Sequence, residues 1–331
     1  MKEIRILSCA ALAFACCAAQ AQQSPSTGSG QAYPSRPIRI IVPFAPGGTS
    51  DILARLIGAK MTENWGQQVL VDNRPGASGN IGADLVAKSA PDGYTTVLMD
   101  VGNLSISPSI FPKLPFDIVR DFAPVTAISY SPHLLCTHPS VPVRTVKELI
   151  ALAKAHPGKL NYGSTGLGSA PHMAGMLFAY RTGVKWVDIP AKGGAQSIMD
   201  VATGEADVLF NGMLATLPHV KSGRLKLIAI SSEKRVPALP DTPTVAEAGN
   251  LPGFVTGSWQ GLLAPARTPA DVVARINGEV VRIITLPDIK EKLTTTGAYP
   301  IGNTPREFGD WLAGSKERWA KLIKATGFKL E

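Results

Sequence analysis

The chain has 331 residues, a formal net charge of +8, 45% hydrophobic and 18% charged residues, the balance of a globular protein and not of a disordered one. Aromatics make up only 6% and the lysines and arginines are dispersed along the chain, which argues against a nucleic-acid surface. Beyond the amino terminus, no stretch is apolar for the ~20 residues that a membrane helix needs.

Met1-Lys2-Glu3-Ile4-Arg5 is a basic start, Ile6 to Ala19 is apolar, and Ala19-Gln20-Ala21 has the small-x-small pattern of a cleavage site. Residues 1–21 are therefore expected to be a secretory signal peptide and the product to be periplasmic. Residues 22–32, rich in Ser, Gly and Gln, read as a flexible tether. Loss of the leader removes Cys9, Cys16 and Cys17 and leaves Cys136 alone, so no intramolecular disulfide is available. The remaining ~310 residues, enough for two domains, must be held by their cores.

Ile38 to Val42 is a run of β-branched residues, as in a strand covered on both faces. Pro43 to Gly48 breaks it, and Thr49 or Ser50 can cap a helix that runs to Trp65 with Ile52, Leu53, Leu56, Ile57 and Met61 on one face. A strand over 69–71, a loop over 72–80, a helix over 81–89 and a strand over 94–99 follow. Residues 100–107 read as a polar loop. Asp121 to Ile128 is a strand leaving this first lobe. Thr145 and Glu148 have capping-box spacing for a helix to about His156. A strand over 160–162, the loop Gly163 to Ser169 and a helix carrying His172 then repeat the first unit. Residues 186–190, Ala191 to Gly194 and a helix around 198–201 repeat it once more. Strands over 208–210, 225–230 and 259–264 come next, the second of them placed to return the chain to the first lobe. Helices over about 269–285 and 305–325 close the chain.

Strands that end in Gly-, Asn- and Ser-rich loops place those loops on one edge of an open α/β sheet, where ligands bind. Glycine loops opening helices offer free backbone N–H groups to an anion. Two such lobes joined by paired crossovers describe a hinged binding protein. Nucleotide motifs fail: Gly163 to Ser169 lacks the lysine of a phosphate-binding loop, and Pro171 stands at the third glycine position of a dinucleotide fingerprint. The five histidines show no metal-ligand spacing. The enzyme alternative is a secreted α/β serine hydrolase of esters or amides using Ser78 or Ser164 with His172 and Asp207, although neither serine lies in Gly-x-Ser-x-Gly. Asp51 heads a helix as a cap or as an acceptor for an amine, Lys192 and Arg74 are placed to pair with a carboxylate, and Phe44 packs on a ligand or in the core.

Val42-Pro43-Phe44-Ala45-Pro46-Gly47-Gly48-Thr49-Ser50-Asp51, Asp72-Asn73-Arg74-Pro75-Gly76-Ala77-Ser78-Gly79-Asn80, and Pro157-Gly158-Lys159-Leu160-Asn161-Tyr162-Gly163-Ser164 with His172 resemble the signatures of the tripartite tricarboxylate transporter substrate-binding proteins, the Bug family. The resemblance implies a two-lobed periplasmic-binding-protein fold of the Venus flytrap, type II-like kind, with lobe one over 33–125 and 236–331 and lobe two over 126–235. It implies a receptor, not an enzyme, that captures a small carboxylate for membrane transporter subunits. No cofactor, metal or nucleic acid is expected, and the protein is expected to be a monomer. Main-chain groups of two facing loops would hold the carboxylate: Phe44, Ala45, Gly47, Gly48 and Thr49, with Asp51, on one side, and Gly163, Ser164, Thr165, Gly168 and Ser169, with His172, on the other. Further contacts would come from Asn80, from Ala191, Lys192 and Gly193, and from Phe210 and Asn211. Three positions depart from the family pattern: Ala191 where a tyrosine usually precedes Lys-Gly, Met176 in place of a frequent glutamate, and Asn211 in place of a frequent acid. Ala191 points to a bulky or aromatic carboxylate and Asn211 to one without an amine.

Overall fold

The computed structural model describes residues 33–111 and 113–326, so the leader and tether expected over 1–32 lie outside the described residues. The body of the fold begins at Arg36, the segment up to Ser35 being a separate unit. In chain order come β1 (Ile38–Val42), α1 (Thr49–Trp65), β2 (Val69–Asn73), one 3-10 turn (Ala77–Gly79), α2 (Asn80–Ala87), β3 (Thr95–Asp100) and α3 (Val101–Ile110). Then follow β4 (Phe122–Thr137), α4 (Val146–Ala155), β5 (Asn161–Ser164), α5 (Ala170–Thr182), β6 (Val187–Pro190), α6 (Gly194–Thr203), β7 (Val208–Gly212), α7 (Met213–Lys221) and β8 (Lys226–Ile230). The chain continues through α8 (Val245–Gly249), β9 (Gly257–Pro265), α9 (Ala270–Thr285), α10 (Pro287–Thr295), β10 (Tyr299–Pro300) and α11 (Pro305–Thr326). No helix among the described residues is long and apolar enough to cross a membrane.

The strands line up as β2-β1-β3-β9-β4-β7-β5-β6, with β8 and β10 also paired to β4. Parallel pairing joins β1 to β2 and β3, and β5 to β6 and β7. Each parallel set needs helical crossovers, which cover the sheet and explain why the central Ile40, Ile41 and Val42 are buried. β4 links the two sets. Its residues 122–132 pair with β9, whereas His133 to Thr137 pair with β7 on one side and, from Leu134, with β8 on the other. Separate apolar clusters lie along this second stretch, one around Tyr162, Phe178, Phe210 and Phe254 and another around Cys136, Leu209 and Ile230.

Several elements differ from expectation. Residues 100–107 form helix α3, not a polar loop, because Asp100 caps it by accepting from Gly102 N–H at 2.9 Å, while Ser105 and Ser107 donate back to the carbonyls of Val101 and Asn103 at 2.9 Å. Hydroxyls satisfied inside their own helix can be buried with Leu104 and Ile106. β8 does not carry the chain back across; it pairs with β4 beside the second set, and the return is made over 231–256. α7 and α10 fall in stretches read as connections.

Helix α5 is seated on β5 through a glycine. The Tyr162 ring stacks on Trp186 with centroids 4.8 Å apart, and its hydroxyl donates to the Pro171 carbonyl. A β-carbon at Gly175 would lie 2.4 Å from Tyr162 Cζ. Gly175→Ala is therefore expected to lower the stability by about 1–3 kcal/mol, the usual cost of overpacking, read as a lower urea midpoint with an unchanged slope.

Candidate functional site

The loop after β1 is shaped by glycine and by Asp51. Gly47 adopts φ +86°, a left-handed conformation that favours glycine. The Asp51 carboxylate accepts from Gly47 N–H at 2.9 Å, Asn73 Nδ2 at 3.0 Å and Arg55 Nε at 3.1 Å. Burial pushes its pKa up, but these bonds outweigh burial and leave the carboxyl below its ordinary range. Asp51 thus braces the loop and lines neither of the cavities described below.

Across from it stands the loop before α6. A β-carbon at Gly193, at φ +140°, would lie 3.3 Å from both Phe44 Cβ and Ala45 N, and Ala45 N–H donates to the Lys192 carbonyl at 3.3 Å. A β-carbon at Gly48 would be 3.8 Å from Ala195 N and 3.9 Å from Gly194 N. The N-termini of α1 and α6 therefore face each other at close range. Both are capped by glycine without a side-chain bond. The N–H groups of Gly48, Thr49 and Ser50, and of Gly194, Ala195 and Gln196, have no acceptor among the described residues. Two sets of orphan donors, each with the positive end of a helix dipole behind it, make this gap attractive to an anion.

The N-terminus of α5 is different. Ser169 Oγ accepts from His172 N–H at 3.2 Å, His172 Nδ1 accepts from Gly168 N–H at 3.2 Å, and Asn103 Oδ1 accepts from Ala170 N–H at 2.7 Å. Ser169 N–H is spent on the Gly166 carbonyl at 3.0 Å. The donors expected from Gly168 and Ser169 are thus already used. Gly163 packs on Val201 and Ala206, and Ser164 Oγ donates to Asp188 Oδ2 at 3.1 Å. Burial pushes the Asp188 carboxyl up to about 6 and the His172 imidazole down to about 4. Ser164 meets an aspartate and not His172, while Asp207 accepts from Asn161 N–H at 2.7 Å. No Ser-His-Asp order of the hydrolase alternative is assembled here.

Two cavities lie along the gap. The inner one, about 30 Å³, is lined by Gly48, Thr49, Ser50, Gly194, Asn211, Asp100, Asn103, Pro171, Ser258 and Gln260, and the outer one, about 280 Å³, by Ser78, Phe111, residues 165–167 and residues 190–192, among others. Phe44 and Thr165 belong to both walls. Of the expected residues, Phe44, Gly48, Thr49, Thr165, Ala191, Lys192 and Asn211 are brought together, and Gly47, Ala45 and Gly193 hold the facing loops. Asn211 Nδ2 donates to the Gly194 carbonyl at 3.1 Å, so it props α6. Phe210 does not reach the gap: its ring is buried 5.8 Å from those of Phe178 and Phe254. Asn80 is buried, with Oδ1 accepting from Ser107 Oγ at 3.0 Å. Asp100, Asn103, Ser258 and Gln260 were not anticipated. Asp100 ends the third strand, a position that carries site residues in open sheets, but the polar residues of β9 gave no local signal.

The fold and this opposed pair of helix ends suit a solute-binding protein, and the family match makes it a periplasmic transport receptor. The profile of the tripartite tricarboxylate transporter family receptor matches residues 53–328, and the chain belongs to that family. It is 36% identical to protein BugT of Bordetella pertussis over 304 residues, 92% of this chain and 93% of that one. Among solved structures, Rpa4515 of R. palustris with adipate is similar at a TM-score of 0.87 and 37% identity, covering 90% of this chain and all of that one. MatC from Rhodopseudomonas palustris with bound malate is similar at 0.83 and 32%, covering 88% of this chain and all of that one.

Asp100 is fully buried at the inner cavity, and burial pushes its carboxyl up to about 6 against hydrogen bonds from Ser258, Gly102, Trp259 and Asn103. A carboxyl whose folded pKa exceeds its unfolded value gives stability that is present below about 4 and lost as pH rises through about 6. Wild type should therefore lose stability relative to Asp100→Asn between pH 4 and 6.5, on the order of 1–3 kcal/mol, as read from urea unfolding at each pH. A difference that stays constant over that range would show that Asp100 does not titrate there.

Proposed function

We propose that this receptor captures a small carboxylate between the N-termini of α1 and α6 and delivers it to the membrane subunits of a tripartite tricarboxylate-type transporter. The observation that carries the reading is the facing pair of uncapped helix ends, whose free N–H groups no described side chain satisfies. The two solved relatives carry adipate and malate, which are carboxylates of this kind. The inner cavity suits a carboxylate head and the outer one the ligand body, with Phe44 between them. The working unit is a monomer of two lobes, residues 33–125 with 236–331 and residues 126–235, hinged along β4. β4 changes partners from β9 to β7 and β8 between Pro132 and His133, which supports a hinge on β4 but several residues beyond 125.

A thermal-shift screen over malate, adipate and aromatic acids tests this. A ligand at 100 times its dissociation constant should stabilise the protein by ~2.7 kcal/mol. Gly48→Pro removes one orphan donor at a residue whose φ of −80° suits proline. It should cost far more affinity than Lys192→Ala. Loss of binding in Lys192→Ala with Gly48→Pro intact would overturn the backbone cradle.

Ala191 lines the outer cavity opposite Phe44, which favours a bulky ligand body there. Ala191→Tyr should weaken a bulky or aromatic carboxylate by ~1–3 kcal/mol and a compact one such as malate far less. Equal calorimetric affinities of variant and wild type for the bulky ligand would show that protein already fills the space.

A further inference from the structure

A separate cavity of about 790 Å³ lies on the opposite face of β9. Ser258 and Gln260 face the inner cavity, whereas Trp259 between them faces this one, as the two-residue alternation of a strand requires. Its floor is a ladder of rings: Tyr130 and Trp259 have centroids 4.7 Å apart, and Trp259 and Trp311 5.0 Å. Trp319 from α11 and Leu177 from α5 add apolar wall. The volume is that of a small-molecule site.

The polar groups are few and unmatched. The Tyr299 hydroxyl is buried and has no hydrogen-bond partner among the described residues, whereas a buried hydroxyl normally finds one. Four charged residues line the cavity, Glu233, Lys234, Arg235 and Arg318. Arg235 is taken by Glu247 at 3.1 Å. Lys234 and Arg318 have no ion-pair partner among the described residues, and Glu233 is the single acid against them. An aromatic floor, an unmet buried hydroxyl and two unpaired cations together specify a flat apolar body with one negative end.

We propose that this back cavity is a second small-molecule site that takes an aromatic carboxylate, with its ring on the Tyr130–Trp259–Trp311 ladder and its charge toward Lys234 and Arg318. Three of the five tryptophans, Trp259, Trp311 and Trp319, line it, so tryptophan emission reports occupancy. Titration of the purified protein with 2-naphthoate should give saturable quenching, at least tenfold weaker in Arg318→Glu and in Lys234→Glu, both exposed and safe for folding. Quenching should persist in Gly48→Pro, which acts at the gap between α1 and α6. Absence of saturable quenching, an isotherm unchanged in both charge-reversal variants, or loss of quenching in Gly48→Pro would each overturn the proposal.

Discussion

The antiparallel pairing of β4 with β9 is the constraint on which the rest depends. β9 is held between β3 and β4, with Leu263 opposite Val97 and Trp259 opposite Tyr130. That register decides which face of the sheet each residue serves. Ser258 and Gln260 turn to the gap between α1 and α6, and Trp259 turns away from it. Asp100 fastens the arrangement by accepting from the backbone of both Gly102 and Trp259, so the end of β3, the start of α3 and the middle of β9 share one carboxylate. Beyond Pro132, the same β4 changes partners and carries the second parallel set.

Some helix ends in this protein are closed by a capping side chain, whereas one facing pair is left open; glycine also precedes α2 and α7. α3, α4, α5 and α8 begin with Asp, Thr or Ser side chains that accept from their own backbone. α1 and α6 begin with glycine and keep their donors free. Exchanging a capping side chain for glycine costs only a few tenths of a kcal/mol. A row of oriented donors can therefore be left open at little expense in stability, provided a partner approaches. Close approach is the second reason for glycine at position 193, where a β-carbon would lie 3.3 Å from both Phe44 Cβ and Ala45 N.

Much of this was legible from the chain alone. The β-branched run of Ile38 to Val42, the Pro-Gly-Gly break and the helical spacing up to Met61 describe β1 and α1 without further help. The three strand-loop-helix repeats are likewise visible. What was not legible depended on distant partners. Gly163 to Ser169 is glycine-rich like the loop before α1, yet His172 and the Gly166 carbonyl take the N–H groups of Gly168 and Ser169, and no local pattern shows that. The family resemblance implies Phe210 at the ligand beside Asn211, but in β7 neighbours point to opposite faces, and its ring belongs to the core. Residues 100–107 read as a loop because serine and asparagine are counted as polar, whereas the Ser105 and Ser107 hydroxyls are satisfied within the helix and the Asn103 amide by Ser78 and Ala170.

The order in which the strands appear along the chain bears on how an exported protein of this kind comes together. β1, β2 and β3 are made first, but the neighbour that covers the edge of β3 is β9, which follows the whole stretch from β4 to β8. A chain emerging from the secretion channel therefore presents an unpaired apolar strand edge for about half of its passage, and such edges are prone to pair with other chains. The strands β4 to β8 are contiguous in sequence and can associate among themselves earlier. Early association there shortens the loop that β9 must close, and it leaves the first-made segment as the one most in need of a holding chaperone while it waits.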